Sequence, residues 1–486
     1  MKSRIGVAAL ALLLLTTFGA GETFAQTLAK DAAEMKLPAW VKTVGARRRP
    51  AGRKVCPADE YGAVDDENRN STKAIQQAID ACARAGGGTV RFKPGRYLTG
   101  ALFIKSGVNF VVGEGVTLLG SQEDADYPSI NTRVAGIEMK WPAALINVNG
   151  QRNVRLSGGG VIDGRGKKWW DRYWNLRRND YEPRGLRWAA DYDAERVRLL
   201  VVWKSSDVSV ENLSLKRSGF WTVQVVYSDH VTVDGVKISE NGGPSTDGVD
   251  IDSSSHVLVQ HCDIDNNDDD ICLKAGRDYD GLRVARPTEY VVVRDNLTRH
   301  GGGVLSFGSE TSGGIRHVVA YRNRGVGTSE GLRFKSAKTR GGYVSDVLIR
   351  DIRMENVPLP FTFTLNWNPS YSYAAIPKEV RNPPPHWVVM NTPVLPLERG
   401  YCEFSNIRIE HVEVVGAKRV FTATGLPEKP IVGVTFSNVT AEGDEAGFVE
   451  HARDWHMNNV KLTTKTGEPL KLTDAVNVEA PAVSKK

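Results

Sequence analysis

His256-Val-Leu-Val-Gln-His-Cys-Asp-Ile264 is an aliphatic alternation, a polar punctuation and a second short apolar stretch. The opening phrase recurs along the chain as Asn153-Val-Arg-Leu, Asp207-Val-Ser-Val, His230-Val-Thr-Val, Glu289-Tyr-Val-Val-Val and His317-Val-Val-Ala. It continues as Asp346-Val-Leu-Ile, Asn406-Ile-Arg-Ile, Gly433-Val-Thr-Phe and Asn459-Val-Lys-Leu. Neighbouring phrases are separated by steps such as 23 residues (207 to 230), 26 (230 to 256) and 28 (289 to 317). Apolar alternation over four or five residues, bounded by Gly, Asn and Asp, is the signature of a strand. Repeats of this length, rich in strand and poor in helix signals, predict an all-β, single-stranded, right-handed parallel β-helix. Inward aliphatics would stack from rung to rung while the polar positions turn the corners. A β-propeller has blades of similar size, but no blade motif is present, and unequal steps suit a solenoid with loops of variable length.

Outward from this rod, Ser71–Ala85 carries apolar residues at helical spacing and is stopped by Gly86-Gly-Gly. It is expected to be a short N-terminal helix that covers the open end of the solenoid. Two long interruptions, 164–195 and 357–400, are rich in Trp, Tyr, Arg and Pro, the second holding Pro383-Pro-Pro-His-Trp. Such loops either pack on the rod or line a binding groove. Residues 1–25 read as a secretory signal peptide: Lys2 and Arg4, an apolar run from Val7 to Phe18, then Thr23-Phe24-Ala25 as a cleavage site. An exported protein, periplasmic or secreted, follows from that. The rival reading, an uncleaved anchor, fits the short apolar run less well. The expected layout is an extension over 26–54, the solenoid over 55–470 and a disordered tail over 471–486.

The five cysteines are too few and scattered for a disulfide scaffold, and none has a spacing to His that suggests zinc. Cys262 and Cys272 read as buried small apolar groups. Loss of residues 1–25 removes Lys2, Arg4 and Glu22, taking the formal charge from +6 to +5. A mildly basic protein without a Lys/Arg block suits an anionic polymer and not nucleic acid or membrane.

Three carboxylates stand out. Asp247 lies in Ser-Thr-Asp-Gly (245–248), and Asp268 and Asp269 lie in Asn-Asp-Asp-Asp-Ile-Cys-Leu-Lys (267–274). The step from 247 to 268 is about one coil, which puts these residues roughly 4.8 Å apart up one face. Each aspartate alone reads as a corner residue, but gathered carboxylates repel one another, and acid–base work on a glycosidic bond is the leading reason to gather them. Further on, Arg333 and Lys335 stand two apart in a strand and project from one face, an arrangement suited to a carboxylate ligand. Lys274 is a third cation of that kind.

Together these segments resemble the polygalacturonase-like family 28 of glycoside hydrolases. Its pattern is Asn-Thr-Asp-Gly, Asp-Asp about one coil later, Gly-His-Gly, and Arg-Ile-Lys. The matching stretches are Ser245-Thr-Asp-Gly, Asp268-Asp269, Arg299-His300-Gly-Gly-Gly303 running into Ser306-Phe-Gly-Ser309, and Arg333-Phe-Lys335. Gly62-Ala-Val-Asp-Asp, Gly158-Gly-Gly-Val-Ile-Asp-Gly-Arg-Gly-Lys-Lys-Trp-Trp and Phe220-Trp-Thr-Val extend the resemblance over most of 55–460. It implies a monomeric, cofactor-free and metal-free inverting hydrolase of galacturonate-containing pectic polysaccharide from the plant cell wall. Asp268 would be the general acid, Asp247 and Asp269 would activate water, and Arg333 and Lys335 would bind the substrate carboxylate. Inversion calls for acid and base carboxyls roughly 6.5–9.5 Å apart, and the bulky 357–400 insert points towards exo cleavage. Two departures stand against the pattern. Ser245 replaces the Asn, and the histidine register falls on Gly303, while His300, counted here as a catalytic residue, lies three positions earlier.

Two other readings use the same fold. In a calcium-dependent pectate lyase, Asp263, Asp265, Asp268, Asp269 and Asp270 would supply oxygen ligands. A non-catalytic polysaccharide-binding β-helix would use the aromatic loops, but it leaves the aspartates and the cationic pair without a purpose.

Overall fold

A computed structural model describes residues 24–486, so most of the signal segment expected over 1–25 lies outside the described residues. Residues Phe24–Glu34 form a helix and Ala39–Thr43 a 3-10 turn. From Val44 onward the chain is a parallel β-helix whose middle coils each supply three short strands, which merge into longer ones from Tyr343 on. The recurrent phrases make one stack: Arg152–Ser157, Ser206–Glu211, Asp229–Asp234, Ser255–Gln260, Thr288–Arg294 and Ile315–Tyr321, all parallel. Their inward column runs Val154, Val208, Val231, Val257, Val291, Val318, and every member is fully buried. A second stack includes Lys237–Ser239, Asp263–Asp265 and Leu297–Arg299. The third, which carries the site, climbs through Val223–Val226, Val249–Asp252, Ile271–Lys274, Leu305–Phe307, Glu330–Lys335 and Leu359–Thr364. Behind it Phe307, Phe334 and Phe363 stack with ring centroids 4.4 and 4.6 Å apart.

The polar residue that opens each phrase turns a corner in the left-handed region. Asn153, Asp207, His230, His256, Tyr290, His317 and Asp346 all have φ between 51° and 56°. Asn, Asp and His tolerate that conformation better than most residues, and the rings of His230, His256, Tyr290 and His317 recoup contact by stacking 4.5–4.9 Å apart.

The expected cap is the helix Thr72–Arg84, with Ile75, Ala78, Ile79 and Cys82 buried. A disulfide from Cys82 to Cys56 ties it to the first rung, while Cys262, Cys272 and Cys402 are buried free thiols. Two boundaries differ from expectation. Residues 44–54 already lie along the solenoid, where Gly45 N donates to His256 O and Arg47 bonds Asp207 at 3.1 and 3.0 Å. The tail expected to be disordered instead forms Lys471–Val478 and Ala482–Lys485, both parallel to Ile431–Thr464. The last long strand offers unpaired backbone groups, and polar residues satisfy them as well as apolar ones do.

Candidate active site

Backbone register places the carboxylates. Gly248 N donates to Asp269 O at 2.9 Å, and Asp269 bridges in parallel to Gly303 one coil further on. Asp247, Asp269 and Gly303 therefore form one column, with Asp268 one residue to the side. One carboxylate oxygen from each of Asp247, Asp268 and Asp269 lies within 4.8 Å of the others. This corrects the expectation of a wide acid–base gap. The three side chains leave adjacent coils at the same corner, so the coil spacing itself limits how far apart they stand.

What each carboxylate touches separates them. Asp269 is buried, and its Oδ1 accepts from Ser306 Oγ at 2.6 Å and Arg333 Nη1 at 3.0 Å. Its Oδ2 accepts from Lys335 Nζ at 2.6 Å. Burial works to raise its pKa, but Lys335 and Arg333 outweigh burial and hold it far below the usual carboxylate range. Asp268 is partly exposed and makes no contact with either cation at hydrogen-bond range; burial first, and then the ionised Asp269 beside it, push it up. Asp247 is also raised, by burial and then by Asp250 and Asp268. The cluster thus holds one firmly ionised carboxylate next to carboxyls whose pKa values are pushed the other way, which is the pairing an acid–base reaction requires.

Gly303 explains how Arg333 gets there. A Cβ at 303 would lie 2.7 Å from Ser306 Oγ and 3.4 Å from Arg333 Cδ. With only a hydrogen at that position, the arginine leans across the column to Asp269. His300, expected among the catalytic residues, is not brought to the cluster. Its side chain is 70% exposed and its Nδ1 lies 3.2 Å from Asp265, in a groove shared with Arg299 and Asp263. The glycines between His300 and Asp269 keep the backbone close to the coil and leave the ring outside. Arg333 and Lys335, expected to face substrate, spend at least part of their charge on Asp269.

Lys274 is buried against three acids, with Nζ 3.5 Å from Asp247, 3.6 Å from Asp250 and 3.3 Å from Glu310. Asp250 is fully buried and neither oxygen has a hydrogen-bond partner; burial pushes it up to about 8. The five carboxylates of the calcium reading do not converge. Asp263 is held by Arg299 at 2.8 Å, Asp265 faces His300, and Asp269 carries Arg333 and Lys335.

The family model for glycosyl hydrolases family 28 matches residues 112–372, more than half of the chain. The chain belongs to glycosyl hydrolase family 28. It is 28% identical over 393 residues to a probable polygalacturonase of Vitis vinifera, covering 78% of this chain and 73% of that one. It is 28% identical over 340 residues to an exo-poly-alpha-D-galacturonosidase of Dickeya chrysanthemi, covering 63% of this chain and 56% of the relative. Among solved structures it resembles the hyperthermoactive exopolygalacturonase of Thermotoga maritima with a TM-score of 0.73 and 25% identity, over 90% of this chain and 96% of that one.

Around the aspartates the family 28 enzyme builds a cleft that the motifs alone did not reveal. Arg187 and Asp191 enter from the first long insert, and Trp367 and Tyr371 from the second. The two inserts are locked together: Trp188 meets Trp387 edge-on at 4.9 Å, and Asp193 accepts from Trp387 Nε1 and bonds His386 Nε2, both at 2.7 Å. A hairpin, Ser129–Val134 with Ile137–Pro142, joins the same apolar cluster through Val134, Ile137 and Trp141. Sequence reasoning flagged the inserts as groove-lining candidates and named Pro383-Pro-Pro-His-Trp, but none of these four cleft residues. It also passed over Asp250 and Glu310, which stand close to named motifs and carry no spacing signal of their own.

Proposed function

We propose that this glycosyl hydrolase cleaves galacturonate-containing pectic polysaccharide after export, from a chain end and with inversion. The observation that supports this reading is the unequal pair: the raised Asp268 suits protonation of the leaving oxygen, and the lowered, ionised Asp269 suits holding the attacking water. Ser306, Arg333 and Lys335 already engage both Asp269 oxygens, which makes that carboxylate a poor nucleophile and a good anchor for water. Inversion is therefore favoured although the carboxylates stand close. The two inserts, packed on each other beside the aspartates, support exo action, because a wall there would stop a polymer from running through. The Cys56–Cys82 disulfide supports export to an oxidising compartment.

The test is to follow reducing ends and ultraviolet absorbance on polygalacturonan and rhamnogalacturonan, with and without chelator, using Asp268→Asn as the control. Reducing ends that rise despite chelator, small products from the outset, an inverted anomer by NMR and a roughly 10²–10⁴-fold loss of kcat in Asp268→Asn are expected. Absorbance that appears only with calcium would establish a lyase instead, and early random fragments would replace exo by endo action.

A further inference from the structure

Arg187 reaches the cleft beside Asp247 and Asp268, and no motif gives it a role. Its Nη1 donates to Asp191 Oδ2 at 2.8 Å, the one hydrogen bond its side chain makes among the described residues. Its guanidinium also sits 5.1 Å from the centre of the Tyr371 ring, so residues from both inserts hold it in place. Asp191 is itself anchored, accepting from Arg196 Nη2 at 2.7 Å and from Ser245 Oγ at 2.9 Å. Burial works to raise the Asp191 carboxyl, but Arg187 and Arg196 bring it far below the usual range, so it stays ionised. Ser245 is the residue that departs from the family Asn, two positions before Asp247. That departure and the first insert are thus one arrangement, which sets a guanidinium at the edge of the reacting centre.

The other cations of the cleft are occupied. Lys335 sits on Asp269, and Lys274 sits among Asp247, Asp250 and Glu310. Arg187 has one acid partner and a planar fork whose remaining nitrogens are left for a ligand, the geometry that suits a carboxylate. We propose that Arg187 binds the carboxylate of a uronate residue next to the scissile bond, making the first insert an acid-recognising subsite distinct from Arg333 and Lys335. This rests on the galacturonan reading of the site.

The experiment compares wild type, Arg187→Ala and Arg187→Lys on oligogalacturonides and on the same oligomers with methyl-esterified carboxylates. For the free acids, Arg187→Ala should lower kcat/KM about 10- to 100-fold, mainly through KM, the worth of a charge-assisted hydrogen bond. For the esters it should change little, and Arg187→Lys should fall between. An equal loss on acid and ester would make Arg187 a brace between the inserts and overturn the proposal, as would no loss on either. Equilibrium binding of trigalacturonate to wild type and Arg187→Ala separates the two levels of the argument. If wild type hydrolyses nothing, the reaction assigned above fails, yet weaker binding by the variant still supports the subsite and equal binding rejects it.

Discussion

Asp268 and Asp269 are chain neighbours of the same chemistry, and only their contacts give them opposite ionisation. Asp269 is tied to Ser306, Arg333 and Lys335, whereas Asp268 faces the cleft with an anion at its side. The base must be ionised and the acid protonated, so activity needs a pH above the lowered pKa of Asp269 and below the raised pKa of Asp268. Among its cations, Lys335 does most to lower Asp269. In Lys335→Met the Asp269 pKa rises towards the normal carboxylate value, and the acidic limb of the kcat/KM profile must move to higher pH. The alkaline limb should move up as well, because Lys335 also works to lower the Asp268 pKa while Asp269 stays ionised at that pH. Profiles on a short oligogalacturonide check this, and an unmoved acidic limb would remove Asp269 from the role of base. The aspartates and the cationic pair were legible because strand register and two-residue alternation put them on one face whatever surrounds them. That Arg333 leans onto Asp269 was not legible, since it depends on the missing side chain at Gly303, nor was the pairing of His300 with Asp265, which holds that ring outside the cluster.

At the scale of elements, the rungs and the inserts differ in how openly the sequence shows them. Each rung states its own pattern, with aliphatics inward and a left-handed Asn, Asp or His at the corner, so a few residues suffice to recognise it. The inserts carry no period; their meaning lies in contacts about 200 residues apart, such as Trp188 with Trp387 and Asp193 with His386. Trp387 is the joint, 4% exposed and bonded through Nε1 to Asp193. Truncating a buried aromatic of this size costs about 3–5 kcal/mol locally. Trp387→Ala should therefore loosen the wall and not the rod. The expected outcome is a raised KM for chain ends and faster proteolysis within 357–400, with the β-sheet circular dichroism and the main thermal transition retained. Collapse of the main transition would mean that the inserts are part of the solenoid's own stability.

At the scale of the molecule, a solenoid is a sum of neighbour contacts, so damage at one end need not reach the middle. The cap helix and the first rung are joined by Cys56–Cys82 across 26 residues, while Asp247, Asp268 and Asp269 stand several coils further along. The sequence disclosed the helix through its periodicity but not the bridge, because pairing among five cysteines is decided by which rung the helix lands on. The polar tail misled for the related reason that an open strand edge orders residues whose own pattern is weak. Closing a loop of this length stabilises by about 2–4 kcal/mol. The Cys56→Ser/Cys82→Ser pair should therefore melt its N-terminal coils several degrees earlier, seen as a new low-temperature transition and as early cleavage between residues 50 and 110. At 25 °C its kcat on oligogalacturonide should equal that of the parent, because the rungs bearing the aspartates keep both of their neighbours. If kcat instead fell in step with the fraction of cap unfolded, stability would be shared along the whole rod, and the site could not be treated as a local property of its coils.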